Sequence, residues 1–240
     1  MIEISNLTVQ FGGTRVLDAL DAKLAAPICG LIGPNGAGKT TLLNVLSGFL
    51  RPRAGSVALD GRALLALSVA ERVRAGVRRT FQTEQIVEDL SVHDNVLALA
   101  EHVMPALAAR DDTRRALELV GLADVAHVQG AALNLYQRRM LELGKALVGV
   151  PRLLLLDEPG AGLNETEAAR LADVIVRIPE CVGAQVLLID HDVDLIDAVC
   201  EATLVLDFGK RLALGPTRAV LDDPLVRSAY LGQAFDEHEA

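Results

Sequence analysis

"GPNGAGKTT" (residues 33–41) decides the fold. It satisfies G-x-x-x-x-G-K-[ST] and stands between the apolar run "PICGLIG" and the helical pattern "TTLLNVLSGF", the strand-to-helix setting in which that pattern cradles phosphate. Gly33, Gly36 and Gly38 let backbone N–H groups come close to phosphate oxygens, and the helix that follows adds its positive end. Pro34, Asn35 and Ala37 complete the loop, and Thr41 stands just beyond it. Lys39 is placed to bridge the β- and γ-phosphates, and Thr40 to ligate Mg²⁺. The plain alternative is a glycine turn that binds nothing, and pattern and context together argue against it.

Outward from the loop, the chain alternates strand-like and helical patterns. The start "IEISNLTVQFGG" and "TRVLDALDAKLA" is β-rich, and "GSVALDG" is a short strand between glycines. Residues 40–49 read as one helix. Residues 91–122 carry two amphipathic patterns around Met104-Pro105, which reads as a helical insertion. Then follow a helix over about 134–148, the buried strand "RLLLLD", a helix after Asn164, the strand "AQVLLID" and a helix from Asp192. Such alternation favours a parallel sheet flanked by helices. "ATLVLDFGKRLALG" reads as a hairpin around Phe208-Gly209, and the polar "FDEHEA" as a frayed end.

Composition excludes several classes. With 240 residues, 51% hydrophobic, the chain can bury a substantial core, so a small stapled scaffold is ruled out. A net charge of −9 and 3% aromatic residues argue against a broad basic or base-stacking surface, so nucleic acid is not the expected partner. Cys29, Cys181 and Cys200 are an odd number without metal-like spacing and read as reduced residues in or near the core of a cytosolic protein. No stretch approaches the roughly 20 apolar residues that cross a bilayer, and residues 1–4 lead into a strand without a signal-peptide pattern. Without a span, the mean hydropathy of +0.33 leaves room for apolar surface that a partner covers, and a well-filled α/β core, the favoured reading, explains the same number.

A second chemical signal is "LLLLDEP" (residues 153–159), an apolar strand ending in two carboxylates. Such a strand would deliver Asp157 beside a phosphate loop for Mg²⁺, with Glu158 next to it to polarise an attacking water. His191 in "LLIDHDVD" stands at the C-terminal end of an expected strand, where α/β sheets place ligand contacts, although a lone histidine is as often structural. Gln82 in "RRTFQ" is open in the same way between a site residue and a polar surface turn.

The set "GPNGAGKTT", "RTFQ", "LLLLDEP", "GAGLN" and "LLIDHD", in that order, resembles the nucleotide-binding subunits of ABC transporters across nearly the whole chain. "RRTFQ", "LVLDFGKRLALGPT" and "DDPLVRSAYLG" look like the ATP-binding component of importers for branched-chain and related amino acids. The resemblance implies one ABC-type nucleotide-binding domain over residues 1–240, an α/β P-loop NTPase fold. It would have a mixed sheet, an N-terminal antiparallel β subdomain, and a helical subdomain inserted at roughly 84–150. Phe11 would stack on adenine and Gln82 would sense Mg²⁺ and water at the coupling interface. Asp157 and Glu158 would be the metal-associated acid and the catalytic base, and His191 would contact the γ-phosphate. "GAGLN" (residues 160–164) would touch the opposite subunit of a head-to-tail dimer.

In this family a signature close to L-S-G-G-Q completes the opposite subunit's ATP site. Here it aligns with Leu133, Asn134, Leu135, Tyr136 and Gln137, fixed by the downstream "RRMLELGKAL". Asn134 is a good helix N-cap with Gln137 three residues on, whereas Tyr136 puts bulk where bare backbone should meet the γ-phosphate. One such donor is worth ~3–4 kcal/mol of barrier. The resemblance then implies an ATPase with one weakened composite site in a heterodimer, a homodimer being the alternative. The subunit would sit peripherally on the cytoplasmic face of the membrane, beside separate permease subunits and, indirectly, a solute-binding protein. Rival readings are a regulatory subunit with little hydrolysis, an importer of another small polar solute such as urea, and a soluble ABC protein.

Overall fold

The computed structural model describes residues 1–231; the "FDEHEA" tail lies outside the described residues. β1 (Ile2–Phe11), β2 (Thr14–Leu24) and β3 (Ile28–Ile32) precede α1 (Lys39–Ser47). Next come β4 (Ala54–Leu59), β5 (Arg62–Ala63), α2 (Val69–Arg74), β6 (Val77–Arg79), α3 (Val92–Val103), α4 (Ala106–Leu119) and α5 (Leu135–Leu147). β7 (Leu153–Asp157), α6 (Glu165–Val182), β8 (Gln185–Ile189) and α7 (Val193–Val199) alternate before β9 (Ala202–Asp207), β10 (Lys210–Pro216) and α8 (Thr217–Leu221). The chain divides into two compact units, Met1–Arg72 with the chain from Leu187 onward, and Val73–Val186.

In the first unit β2, β1, β4 and β5 form an antiparallel sheet in that order. Its buried residues are Ile2, Ile4, Leu7 and Val9 in β1 and Leu17, Leu20, Ala22 and Leu24 in β2; the alternation changes phase where Asn6 (φ 49) and Ala19 (φ 49) interrupt it, with a register shift between Ile4 and Leu7. β3 is buried at every position, as its unbroken apolar run requires, and runs parallel to β9 from Cys29↔Ala202 to Ile32↔Val205. β10 returns antiparallel to β9, so the arrangement is mixed, as expected.

α1 stops at Ser47, two residues short of the expected end at Phe49. Gly48 adopts a left-handed conformation that closes the helix, and the buried Arg72 donates from Nη1 to the carbonyls of Val45 and, at 2.9 Å, Leu46. Its Nε donates to Leu67 O at 3.1 Å. A cation on the last-turn carbonyls is favourable, and burial lowers the Arg72 pKa from its ordinary value.

In the second unit β6 lies parallel to β7, Val77 opposite Leu153 and Arg79 opposite Leu155. Three residues carry too little periodicity for the sequence to expect this strand. α3 is capped by Ser91, whose hydroxyl accepts from Asp94 N, and α4 follows Pro105, so the break at Met104-Pro105 falls between the two expected helices. α3, α4 and α5 all lie within residues 84–150. Their apolar stripes, including Val96, Ala100, Leu117, Met140 and Leu143, supply the buried contacts of this unit.

Cys29 and Cys200 are buried, in agreement with the sequence reading. Cys181 is exposed near the end of α6, contrary to it: it stands seven positions after the buried Val174, in phase with the inward residues, but in the last turn of a helix that ends at Val182.

Candidate nucleotide site

The loop of residues 33–38 belongs to the first unit, and its glycines are fixed by backbone packing. At Gly33 (φ 144) a Cβ would lie 2.1 Å from Leu206 O, and at Gly38 (φ 105) 2.8 Å from Leu17 Cδ2 and 2.9 Å from Val16 O. Gly36, also left-handed, would meet nothing within 4 Å, so the open side of the curl is here. The buried Lys39 Nζ donates to Gly33 O at 2.6 Å and Pro34 O at 3.1 Å, which holds an ammonium inside the curl. α1 begins at Lys39 with no side-chain cap on Gly38 and no acidic residue in its first turn. Its orphan N–H groups and positive end therefore face the loop without an acidic side chain of the helix's own first turn, which suits a polyphosphate. Pro34 is half-buried, Asn35 and Thr40 are exposed, Ala37 is buried and Thr41 is half-buried.

Three further elements of this unit bear candidate residues. Phe11 ends β1 at the turn into β2, with 53% of its surface exposed. The β9–β10 turn is fastened to the loop, since Gly209 N donates to Ala37 O at 3.1 Å and Gly209 O accepts from Asp18 N. His191 is exposed between β8 and α7, where Asp190 accepts from Asp192 N and Asp192 caps α7.

The second unit carries the acidic strand end. Asp157 is 3% exposed; its Oδ2 is 2.8 Å from Arg79 Nη2, its N–H donates to Thr80 Oγ1, and its Oδ1 is buried without a hydrogen-bond partner. A buried carboxylate oxygen left open is what a hydrated cation would need, so the donor set fits Mg²⁺. Glu158 has φ 52, a left-handed conformation that is costly for a residue with a Cβ and more so before Pro159. Gln82 is exposed, and its carbonyl accepts from Arg139 Nη1 at 2.8 Å.

The signature segment forms the start of α5. Asn134 Oδ1 accepts from Gln137 N at 2.8 Å, and Gln137 Oε1 accepts from Asn134 N at 3.1 Å, the reciprocal cap that the sequence implies. Leu135 leans over Gly162 of "GAGLN", where a Cβ would be 3.0 Å from Leu135 Cδ2. Tyr136 is half-buried; burial raises its phenol pKa, opposed by Arg170 and reinforced by Glu167, both on α6. Asn164 caps α6 with Glu167 in the same reciprocal manner.

Sequence reasoning does not find Arg79 as the partner of Asp157, nor the contacts of Arg139, Glu142 and Lys145 with residues 82–85. Each joins residues more than fifty positions apart, beyond the reach of periodicity.

The family model described as "ABC transporter" matches residues 23–161. The chain is 34% identical over 252 aligned positions to the high-affinity branched-chain amino acid transport ATP-binding protein BraF of Pseudomonas aeruginosa, covering 98% of each chain. It is 34% identical with the same coverage to LivG of Salmonella typhimurium, which bears the same description. The crystal structure of the ADP conformation of MJ1267, an ATP-binding cassette of an ABC transporter, superposes with TM-score 0.85 at 26% identity, covering 97% of this chain and 98% of that one. A phosphate loop opening α1, an acidic end to β7 and similarity along the whole length lead to one conclusion: this chain belongs to the ABC transporter family and is an ABC-type ATPase.

Proposed function

We propose that this chain is the ATP-hydrolysing subunit of an importer for branched-chain or related amino acids, one cassette with its helical insertion at roughly 84–150. The observation that carries the cargo class is the likeness to BraF and LivG over 98% of both chains, which extends past the phosphate loop into the non-catalytic segments. The subunit would work peripherally on the cytoplasmic face of the membrane with separate permease subunits, and through them with a solute-binding protein. Among the described residues no helix is long and apolar enough to cross a membrane.

When bound, ATP with Mg²⁺ supplies the phosphoryl bond to be cleaved. In this reading Phe11 stacks on the adenine, and the backbone of Gly33, Pro34, Asn35, Gly36, Ala37 and Gly38 donates to phosphate oxygens. Lys39 and the start of α1 at Thr40 and Thr41 add positive charge. Thr40, Gln82 and Asp157 would hold Mg²⁺, which would neutralise phosphate charge, Glu158 would take a proton from water, and His191 would contact the γ-phosphate. Asn134, Leu135, Tyr136 and Gln137 serve the partner subunit's nucleotide rather than this chain's own.

Tyr136 then divides the labour: this chain's own phosphate loop and Glu158 stay competent against an intact partner signature, while the site that its signature completes is weak. A heterodimer follows. The test is steady-state ATP hydrolysis by the purified chain, alone and with its partner cassette, comparing wild type, Tyr136→Gly and Glu158→Gln. A low basal rate that rises with Tyr136→Gly or with the partner, and disappears with Glu158→Gln, supports the reading. Full activity of the wild type alone refutes the division of labour.

A further inference from the structure

We propose that Arg139, Glu142 and Lys145 are positioning residues that clamp the segment bearing Gln82 onto the helix that starts at the altered signature. They stand at i, i+3 and i+6 of α5, one stripe of a helix. Arg139 donates from Nη1 to Gln82 O at 2.8 Å and pairs through Nε with Glu84 Oε1 at 3.1 Å. Glu142 Oε2 accepts from Gln85 N at 3.2 Å and from Lys145 Nζ at 3.2 Å, and Lys145 Nζ also donates to Gln85 O. Both backbone groups of Gln85 and the carbonyl of Gln82 are therefore held by side chains of a single helix.

The four charges are two of each sign and lie mostly out of water, the side chains being 10% and 17% exposed for Arg139 and Glu84, and 12% and 7% for Lys145 and Glu142. Buried ion pairs contribute little net stability over apolar packing, so a balanced group of this kind is better explained by the geometry it enforces. That geometry has a direction. Residues 82–85 have no helix or strand to fix them, whereas α5 is a capped helix with Met140, Leu141, Leu143 and Leu147 buried. The segment follows the helix, and a rotation of the signature end of α5 carries the Gln82 backbone with it.

The functional half of this assignment rests on the reading of Gln82 as the residue that senses Mg²⁺ and water, so the test has an arm that needs no turnover. Amide hydrogen exchange of the full chain is measured in wild type, Arg139→Met, Lys145→Met, Glu142→Ala and Glu142→Gln, with the surface variant Arg114→Met as control. Exchange over residues 82–86 is expected to rise ~10-fold in the first three variants, to stay within ~3-fold in Glu142→Gln, which keeps an acceptor for Gln85 N–H, and to leave α5 and β7 protected. In Arg139→Met, Lys145→Met and Glu142→Ala kcat is expected to fall ~5-fold with KM for ATP within ~2-fold, the pattern of a lost positioning effect rather than lost binding. Unchanged exchange at 82–86, a rise spread evenly over the second unit, or freed exchange with unchanged kcat would overturn the proposal. A wild type without turnover refutes the ATPase reading by itself, and the exchange arm still accepts or rejects the clamp.

Discussion

Arg79 Nη2 sits 2.8 Å from Asp157 Oδ2, with the two side chains 7% and 3% exposed, and Arg79 also lies over the Phe81 ring at 5.1 Å. The carboxylate at the end of β7 thus has one oxygen neutralised by a neighbouring strand and the other open. Removing the cation strands a buried charge, so Arg79→Met is expected to cost ~3–5 kcal/mol in urea unfolding. Arg79→Met with Asp157→Leu removes both charges and should recover most of that loss. Equal losses in the single and double variants would show that the pair is not the source of the effect.

The left-handed Glu158 stores backbone strain at the position proposed for the catalytic base. Glycine adopts φ 52 without the Cβ penalty, so Glu158→Gly should stabilise the chain by ~1 kcal/mol, while Glu158→Gln should leave stability near wild type. Both should abolish hydrolysis. Thermal unfolding paired with an ATPase assay distinguishes this outcome from one in which Glu158→Gly destabilises, which would mean that the side chain itself holds the turn.

The cap on α5 separates folding from function at the signature. Asn134→Ala loses the acceptor for Gln137 N and should cost ~1 kcal/mol, whereas Asn134→Ser keeps it and should be nearly neutral in thermal unfolding. Tyr136→Gly carries its own helix cost of ~1 kcal/mol, so any gain in turnover from that variant would appear despite lower stability.

What the sequence carried here was local. Asn134 with Gln137 reads as a cap because the pattern spans four residues, and the phosphate loop reads because its pattern spans eight and strand and helix periodicities flank it. The end of α1 was misplaced by two residues because "SGF" continues an apolar pattern while Gly48 and the distant Arg72 stop the helix. Cys181 departs from the expectation because cysteine composition favours burial and its phase, seven residues after the buried Val174, points the same way, whereas its place in the last turn of α6 leaves it exposed. Arg79 and the α5 stripe were invisible for another reason: a charge reads as solvated until the fold supplies its partner.

The cysteines allow a prediction in which the sign of a pH effect is fixed. Burial pushes the Cys200 thiol up to about 12 from an ordinary 9, with Cys29 and Asp190 nearby adding to the shift. A group whose folded pKa lies above its unfolded value holds its proton more tightly in the folded state, so its contribution is complete below pH 9 and is lost as pH rises toward 12. Three units correspond to ~4 kcal/mol at most, so wild type should lose stability between pH 9 and 12 faster than Cys200→Ala does, by up to that amount in urea titrations. Across the same range a thiol reagent should label Cys181 in the folded chain and spare Cys200 and Cys29, which are buried. Parallel stability curves for the two proteins would show that the thiol is not held up by the fold, and rapid labelling of Cys200 would show that the core around β3 and β9 opens to solvent.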